Sequence, residues 1–208
     1  MPTPAPSPSP TPTPTPSPPL VPTAGQVIIN EALVSFASSS TQERKDFIEL
    51  FNTSERTLDI SGLRITFRPT GSANTPSTVT LPGAVGSGTT LIQGRGYFLV
   101  ANGVVTFGVA ADFDAASPGL DINNTTGGIK IEIGETKLDG LAYQGGATPP
   151  ASPFNFFGEG SIFTFTGGTT NDLVRTPDAT DTGDNASDFR RNGSTNSVTP
   201  RAANPLPP

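Results

Sequence analysis

Nowhere in this chain does an apolar pattern hold the helical period for even three turns, and that excludes most folds at once. What repeats instead is a short run of β-formers followed by Gly, Pro, Asn or Ser. The strand candidates, in order, are Val27 to Leu33, Asp46 to Phe51, Leu58 to Phe67 with a kink at Gly62, and Thr78 to Leu81. There follow Gly96 to Ala101, Val104 to Phe107, Gly128 to Ile133, Lys137 to Tyr143, Ser161 to Thr166 and a short last one at Leu173 to Arg175. Asn102-Gly103 between two of these runs is the sequence of a type I′ turn and predicts a hairpin there. Many short strands separated by turn residues imply an all-β fold, a β-sandwich or barrel.

Proline divides the chain. Eleven of its 23 prolines lie at or before Pro22, alternating with Thr, Ser and Ala, and no charged residue precedes Glu31. Such a segment has neither ladder donors nor apolar surface to bury. Residues 1–25 therefore read as an extended polyproline-type linker or stalk, roughly 60 Å long at ~3.1 Å per residue. Residues 26–204 read as one sandwich domain and 205–208 as a short tail. No signal-peptide pattern follows Met1 and no apolar run of membrane-spanning length occurs. A leader or anchor, if there is one, is expected to have been removed or to lie upstream.

Charge and residue types narrow the chemistry. The net charge of −6, with Lys and Arg scattered, disfavours nucleic acid, which is held by neutralising phosphates. The chain has no His and no Cys, so the usual general base, thiol nucleophile and transition-metal ligands are missing. Carboxylates remain. Glu49 sits inside an apolar run, where an unpaired charge is costly, and Glu31 lies in the preceding strand. A glycosidase would need two such acids, but Trp is absent and Tyr occurs only twice. The expectation is structural: a buried ion pair in which the planar fork of Arg175 binds Glu49 or Glu31. No catalytic residue is assigned.

Two further groups stand out. Asp178, Asp181, Asp184 and Asp188 recur at spacings of three to four in a Gly-containing loop, oxygen ligands of the kind Ca²⁺ takes, although the EF-hand spacing is absent. The alternative is a solvated loop whose acids cap their own backbone. No other cofactor is expected. Phe154, Phe156 and Phe157 crowd a Gly/Pro-rich loop, and they mark either a partner surface or a plug for the open end of the sandwich.

Taken in order, Val27-Ile28-Ile29-Asn30-Glu31-Ala32, Asp46 to Asn52, and Leu58-Asp59-Ile60-Ser61-Gly62-Leu63 resemble the opening of the lamin-tail domain family in its bacterial form. The likeness continues through Gly94 to Val100, the paired runs 128–133 and 137–143, Arg175 to Thr182, and Thr199-Pro200-Arg201-Ala202-Ala203-Asn204. The stretches 68–90 and 145–160 look like insertions. The resemblance implies an immunoglobulin-like β-sandwich. It also implies a secreted or cell-surface attachment module that binds a surface polymer or a protein, a second copy of itself included. An alternative is a structural subunit that builds a filament or surface layer through its edge strands and N-terminal arm.

Overall fold

In the computed structural model, the described residues are Met1, 19–36, 46–72, 74–103, 105–115, 119–193 and 198–204. Most of the proline segment and the tail 205–208 lie outside them. The strands are β1 (Val27–Ser35), β2 (Phe47–Asn52), β3 (Leu58–Asp59), β4 (Arg64–Phe67), β5 (Ser77–Thr80), β6 (Leu91–Ile92), β7 (Tyr97–Ala101), β8 (Val105–Thr106) and β9 (Val109–Ala110). They continue as β10 (Phe113–Asp114), β11 (Thr126–Ile133), β12 (Thr136–Gln144), β13 (Phe163–Thr164), β14 (Asn171–Arg175) and β15 (Phe189–Asn192). One helical turn, α1 (Asn185–Asp188), precedes β15.

These strands make an all-β sandwich. One sheet has six strands in the order β10-β7-β2-β1-β14-β15, and the other has five in the order β13-β12-β11-β4-β5. Two short ribbons, β3-β6 and β8-β9, flank them. Between the sheets lie Val27, Ile29, Ala32, Val34, Ile48, Leu50, Val100 and Leu173 from the first, against Ile65, Phe67, Ile129, Ile131, Leu141 and Tyr143 from the second. Alternate residues of each strand supply this core, as the period of two demands.

One irregularity sets the rest of the molecule. In β1 the inward residues are 27 and 29, then 32 and 34, which requires one extra residue between them. The pairing register with β2 shifts there, from Ile29 opposite Leu50 to Glu31 opposite Glu49. This bulge turns Asn30 and Glu31 together onto the outer face of the six-stranded sheet. A smaller cluster sits on that outer face, made of Leu33, Phe47, Leu99 and Ala101 and covered by Phe107, Val109, Ala111 and Val198.

Several expectations are corrected by the pairing. Asn102-Gly103 does not join a hairpin: β8 pairs with β9, while β7 lies between β2 and a parallel β10. The run from Leu58 to Phe67 is broken by a turn at 61–62 and feeds two different sheets, because β3 pairs with β6 and β4 with β11. The segment from Ser161 to Thr166 keeps only two strand residues, and the last strand is β15, not β14. Residues 19–25, assigned by composition to the stalk, run along the domain. Leu20 accepts the Asp59 N–H at 2.8 Å, and Gly25 donates to the Leu138 carbonyl at 2.9 Å.

Phe154 and Phe157 are buried on the outer face of the five-stranded sheet, beneath the side chains of Arg68 and Lys130. Of the three phenylalanines only Phe156 is a surface residue, at 75% exposure, so the proposed patch is reduced to one ring. The backbone of this turn lies so close to the sheet that a Cβ on Gly140 would run into the Phe157 carbonyl oxygen. Gly140→Ala is therefore expected to lower stability by about 1–3 kcal/mol in urea denaturation, the range for overpacking. Gly134→Ala, in open space at φ 58°, is the comparison and should cost less.

Candidate functional site

Two polar networks occupy opposite faces of the six-stranded sheet. The inner one is built on Arg175, which shares the inward face of β14 with Leu173 and is 0% exposed. Its Nη2 donates to Asp139 Oδ2 at 2.7 Å, crossing from one sheet to β12 of the other. Nη1 donates to Asp188 Oδ2 at 2.8 Å and to the Thr180 carbonyl at 3.0 Å, with Asp181 Oδ1 at 3.4 Å. Nε donates to the Ile29 carbonyl at 3.0 Å, and the guanidinium lies 4.6 Å from the centre of the Phe189 ring. Burial lifts the pKa of Asp139 to about 6, against the pull of Arg175 and the Ile29 N–H, so the acid remains ionised at neutral pH.

The expected pairing of Arg175 with Glu49 or Glu31 is thus wrong in its acids. Ile48 and Leu50 point inward, so Glu49 between them points outward, and the bulge turns Glu31 outward as well. Arg175 points the other way, and the thickness of the sheet separates the two sets.

The outer network gathers Glu31 from β1, Glu49 from β2, Asp172 from β14 and Asp178 from the loop after β14. The C-terminal segment 198–204 lies across them. Thr199 N donates to Glu31 Oε1 at 3.1 Å, and the Arg201 N–H donates to Glu49 Oε2. Asn204 N donates to Asp178 Oδ1 at 3.1 Å, while its amide group reaches the carbonyls of Asn30 at 2.9 Å and Arg175 at 3.0 Å. Asn30 bridges Glu49 and Asp178, at 3.2 and 2.9 Å. Tyr97 donates its phenol to Asp178 Oδ2 at 2.9 Å. Glu31 and Glu49 are both 0% exposed. Burial, with the charge of Asp172 nearby, raises the Glu31 pKa well above its usual range; burial pushes Glu49 up to about 8 and Asp172 up to about 7.

The four aspartates proposed as Ca²⁺ ligands are dispersed. Asp178 belongs to the outer network and Asp188 and Asp181 to Arg175. Asp184 caps α1 by accepting from Ala186 N at 3.0 Å. Their spacing thus serves three separate jobs in the loop. Among the described residues, one group of three acids brings an oxygen of each within 4.8 Å of the others: Asp139, Glu159 and Asp181. Arg175 already holds Asp139, and Lys137 Nζ lies 3.4 Å from Glu159, so two cations of the chain itself stand there. Asn30, Asp139, Asp172 and Asn204 carry the two networks without having been singled out from the sequence. No family model matches the chain, and no curated protein matches it.

Truncating Arg175 leaves Asp139 and Asp188 buried without their cation. Arg175→Ala should cost about 3–5 kcal/mol in equilibrium denaturation, and Arg175→Met combined with Asp139→Leu should recover part of that loss, Asp188 remaining without its cation. The outer acids give a pH signature. Their folded pKa values are raised, so the folded state holds protons that the unfolded chain gives up. Their contribution is complete below about pH 4 and is lost as pH rises through 7 and 8, by about 1.4 kcal/mol per pH unit for each acid in its window. The melting temperature should therefore fall by more than about 10 °C between pH 5 and pH 8.5 in scanning calorimetry. A flat profile would show that these acids are ionised in the folded protein.

Proposed function

We propose that the chain is a non-catalytic binding or attachment module, displayed outside a cell on a Pro/Thr/Ser spacer, as the resemblance to bacterial lamin-tail domains implies. The observation that carries this reading is the sealing of Glu31 and Glu49. These two acids are best placed by sequence to act as reagents, yet both are fully buried and engaged by the chain's own N–H and amide groups. While residues 198–204 lie over them, a solute cannot approach them from solvent. Among the described residues no helix is long and apolar enough to cross a membrane. The partner is a surface polymer or protein, addressed by a pull-down on cell-wall material with a glycan array beside it. Saturable retention by one class of ligand is the supporting result, and turnover of an array glycan is the result that overturns the reading.

A second reading, a self-assembling structural subunit, is favoured by one feature of the five-stranded sheet. Its edge strand β5 lies in a stretch without a charged residue between Arg68 and Arg95, so the usual protection of an edge by Lys or Glu is missing. If β5 pairs with a second copy, sedimentation velocity will show mass growing with concentration, and Thr78→Lys, at an exposed edge position, will return the protein to monomer. A monomer at every concentration rules this assembly out.

A further inference from the structure

We propose that the C-terminal segment 198–204 is a pH-gated strap, seated on the outer face of the six-stranded sheet while the acids beneath it keep their protons and released when they lose them. Three geometrical facts lead there. Glu31 stands directly opposite Glu49 in the β1–β2 register, and Asp172 lies beside Glu31 on the neighbouring strand, so three carboxyls share one buried patch. Asp172 Oδ2 accepts from Asn192 at 3.1 Å, but Asp172 Oδ1 is buried with no N–H or hydroxyl donor. Asp172 thus stands beside Glu31 with one oxygen unserved, and a proton held by either carboxyl is the donor that this oxygen lacks.

The strap is fastened to the acids themselves and to their neighbours. Thr199 sits on Glu31, the Arg201 N–H on Glu49 and Asn204 on Asp178 and Asn30. The segment belongs to neither sheet, so it can leave without breaking a ladder. Its apolar anchors are the partly buried Val198 and the buried Pro200.

Among the described residues no Lys or Arg forms an ion pair with Glu31, Glu49, Asp172 or Asp178. Arg201 turns its guanidinium to Asp112, away from Glu49. Arg175 aims inward at Asp139, Asp181 and Asp188. Tyr97 faces Asp178 from β7, and burial together with the bond it donates raises its pKa out of the range in which the acids titrate. The strap's own N–H groups favour ionised carboxylates, but burial outweighs them for Glu31 and Glu49. Ionisation therefore places like charges side by side under a cover that excludes water, and lifting the cover rehydrates them. The release constant rises by up to about tenfold per pH unit for each acid between its exposed and its covered pKa.

The chain has no cysteine, so Ala203→Cys, at an exposed strap position, gives a unique site for a nitroxide spin label. Glu135→Cys, in the exposed turn between β11 and β12, is the reference. From about pH 6 to about pH 9 the mobile component of the label at 203 should grow from minor to dominant, while the label at 135 and the far-ultraviolet strand signal stay constant. Glu49→Gln, or Glu31→Gln should the first not fold, should keep the label immobile at the higher pH. A label at 203 that is equally immobile, or equally mobile, at both pH values overturns the proposal. So does one that loosens only as the strand signal is lost, or one that loosens as much in the folded Gln variant.

Discussion

The bond between Arg175 and Asp139 is the one on which the arrangement of this molecule turns. It joins β14 of one sheet to β12 of the other through the middle of the core, at 2.7 Å and with both side chains at 0% exposure. A guanidinium in such a place is tolerable only if its donors are used, and here they also reach Asp188 and two backbone carbonyls. What it secures goes beyond the pair. Asp188 in turn accepts from Thr182 N and Oγ1, and Phe189 lies against the guanidinium. The loop from 176 to 184, the α1 turn and the start of β15 thus take their positions from one cation. Apolar residues of the same volume could fill the space, but they would not select one conformation of that loop.

The same strand serves the opposite face. Because residues alternate along β14, Arg175 and Leu173 point in while Asp172 points out, where it meets Glu31. Asn30, delivered by the bulge in β1, links the faces: its side chain holds Glu49 and Asp178, and its carbonyl takes Asn204, which also binds the Arg175 carbonyl. The closing segment of the chain is therefore attached to β14, which carries Arg175, and to β1, whose Ile29 carbonyl Arg175 holds. Sequence-distant pieces, 30, 49, 172 to 178 and 199 to 204, meet at one place through a single extra residue in one strand.

Much of this was legible beforehand. Alternation in Ile129-Lys130-Ile131-Glu132-Ile133 and in Lys137 to Tyr143 announced the central pair of the five-stranded sheet, and the Gly/Pro punctuation announced an all-β chain. The burial of Glu49 was legible too, from its place in Phe47 to Phe51. Its partner was not, because the run Phe-Ile-Glu-Leu-Phe is apolar on both faces and hides the direction in which Glu49 points. The alternation of Leu173 and Arg175 carried that information, since a cation in register with a core leucine faces the opposite sheet. Asp139 gave little sign, being one polar residue between Leu138 and Gly140. The Asn102-Gly103 hairpin failed for a different reason: β7 is claimed by β2 along its whole length, and tertiary pairing overrides a local turn preference.

The two networks also differ in what they respond to. In the inner one, opposite charges compensate each other out of reach of solvent ions, so salt alters the balance little and the charge of Asp139 is lost only as pH falls through about 6. Among the described residues, no cation compensates the outer one. Its acids stay near each other because protons, not counter-ions, neutralise them, and screening by salt reaches buried carboxyls poorly. The acids beneath residues 198–204 are for that reason sensitive to protons and largely indifferent to ionic strength, whereas exposed pairs such as Arg95 with Glu55, and the strap's own Arg201 with Asp112, behave the other way round. A domain with a net charge of −6 that met its surroundings through exposed charge alone would respond first to salt. This one carries its most responsive charges inside, beneath a piece of its own chain.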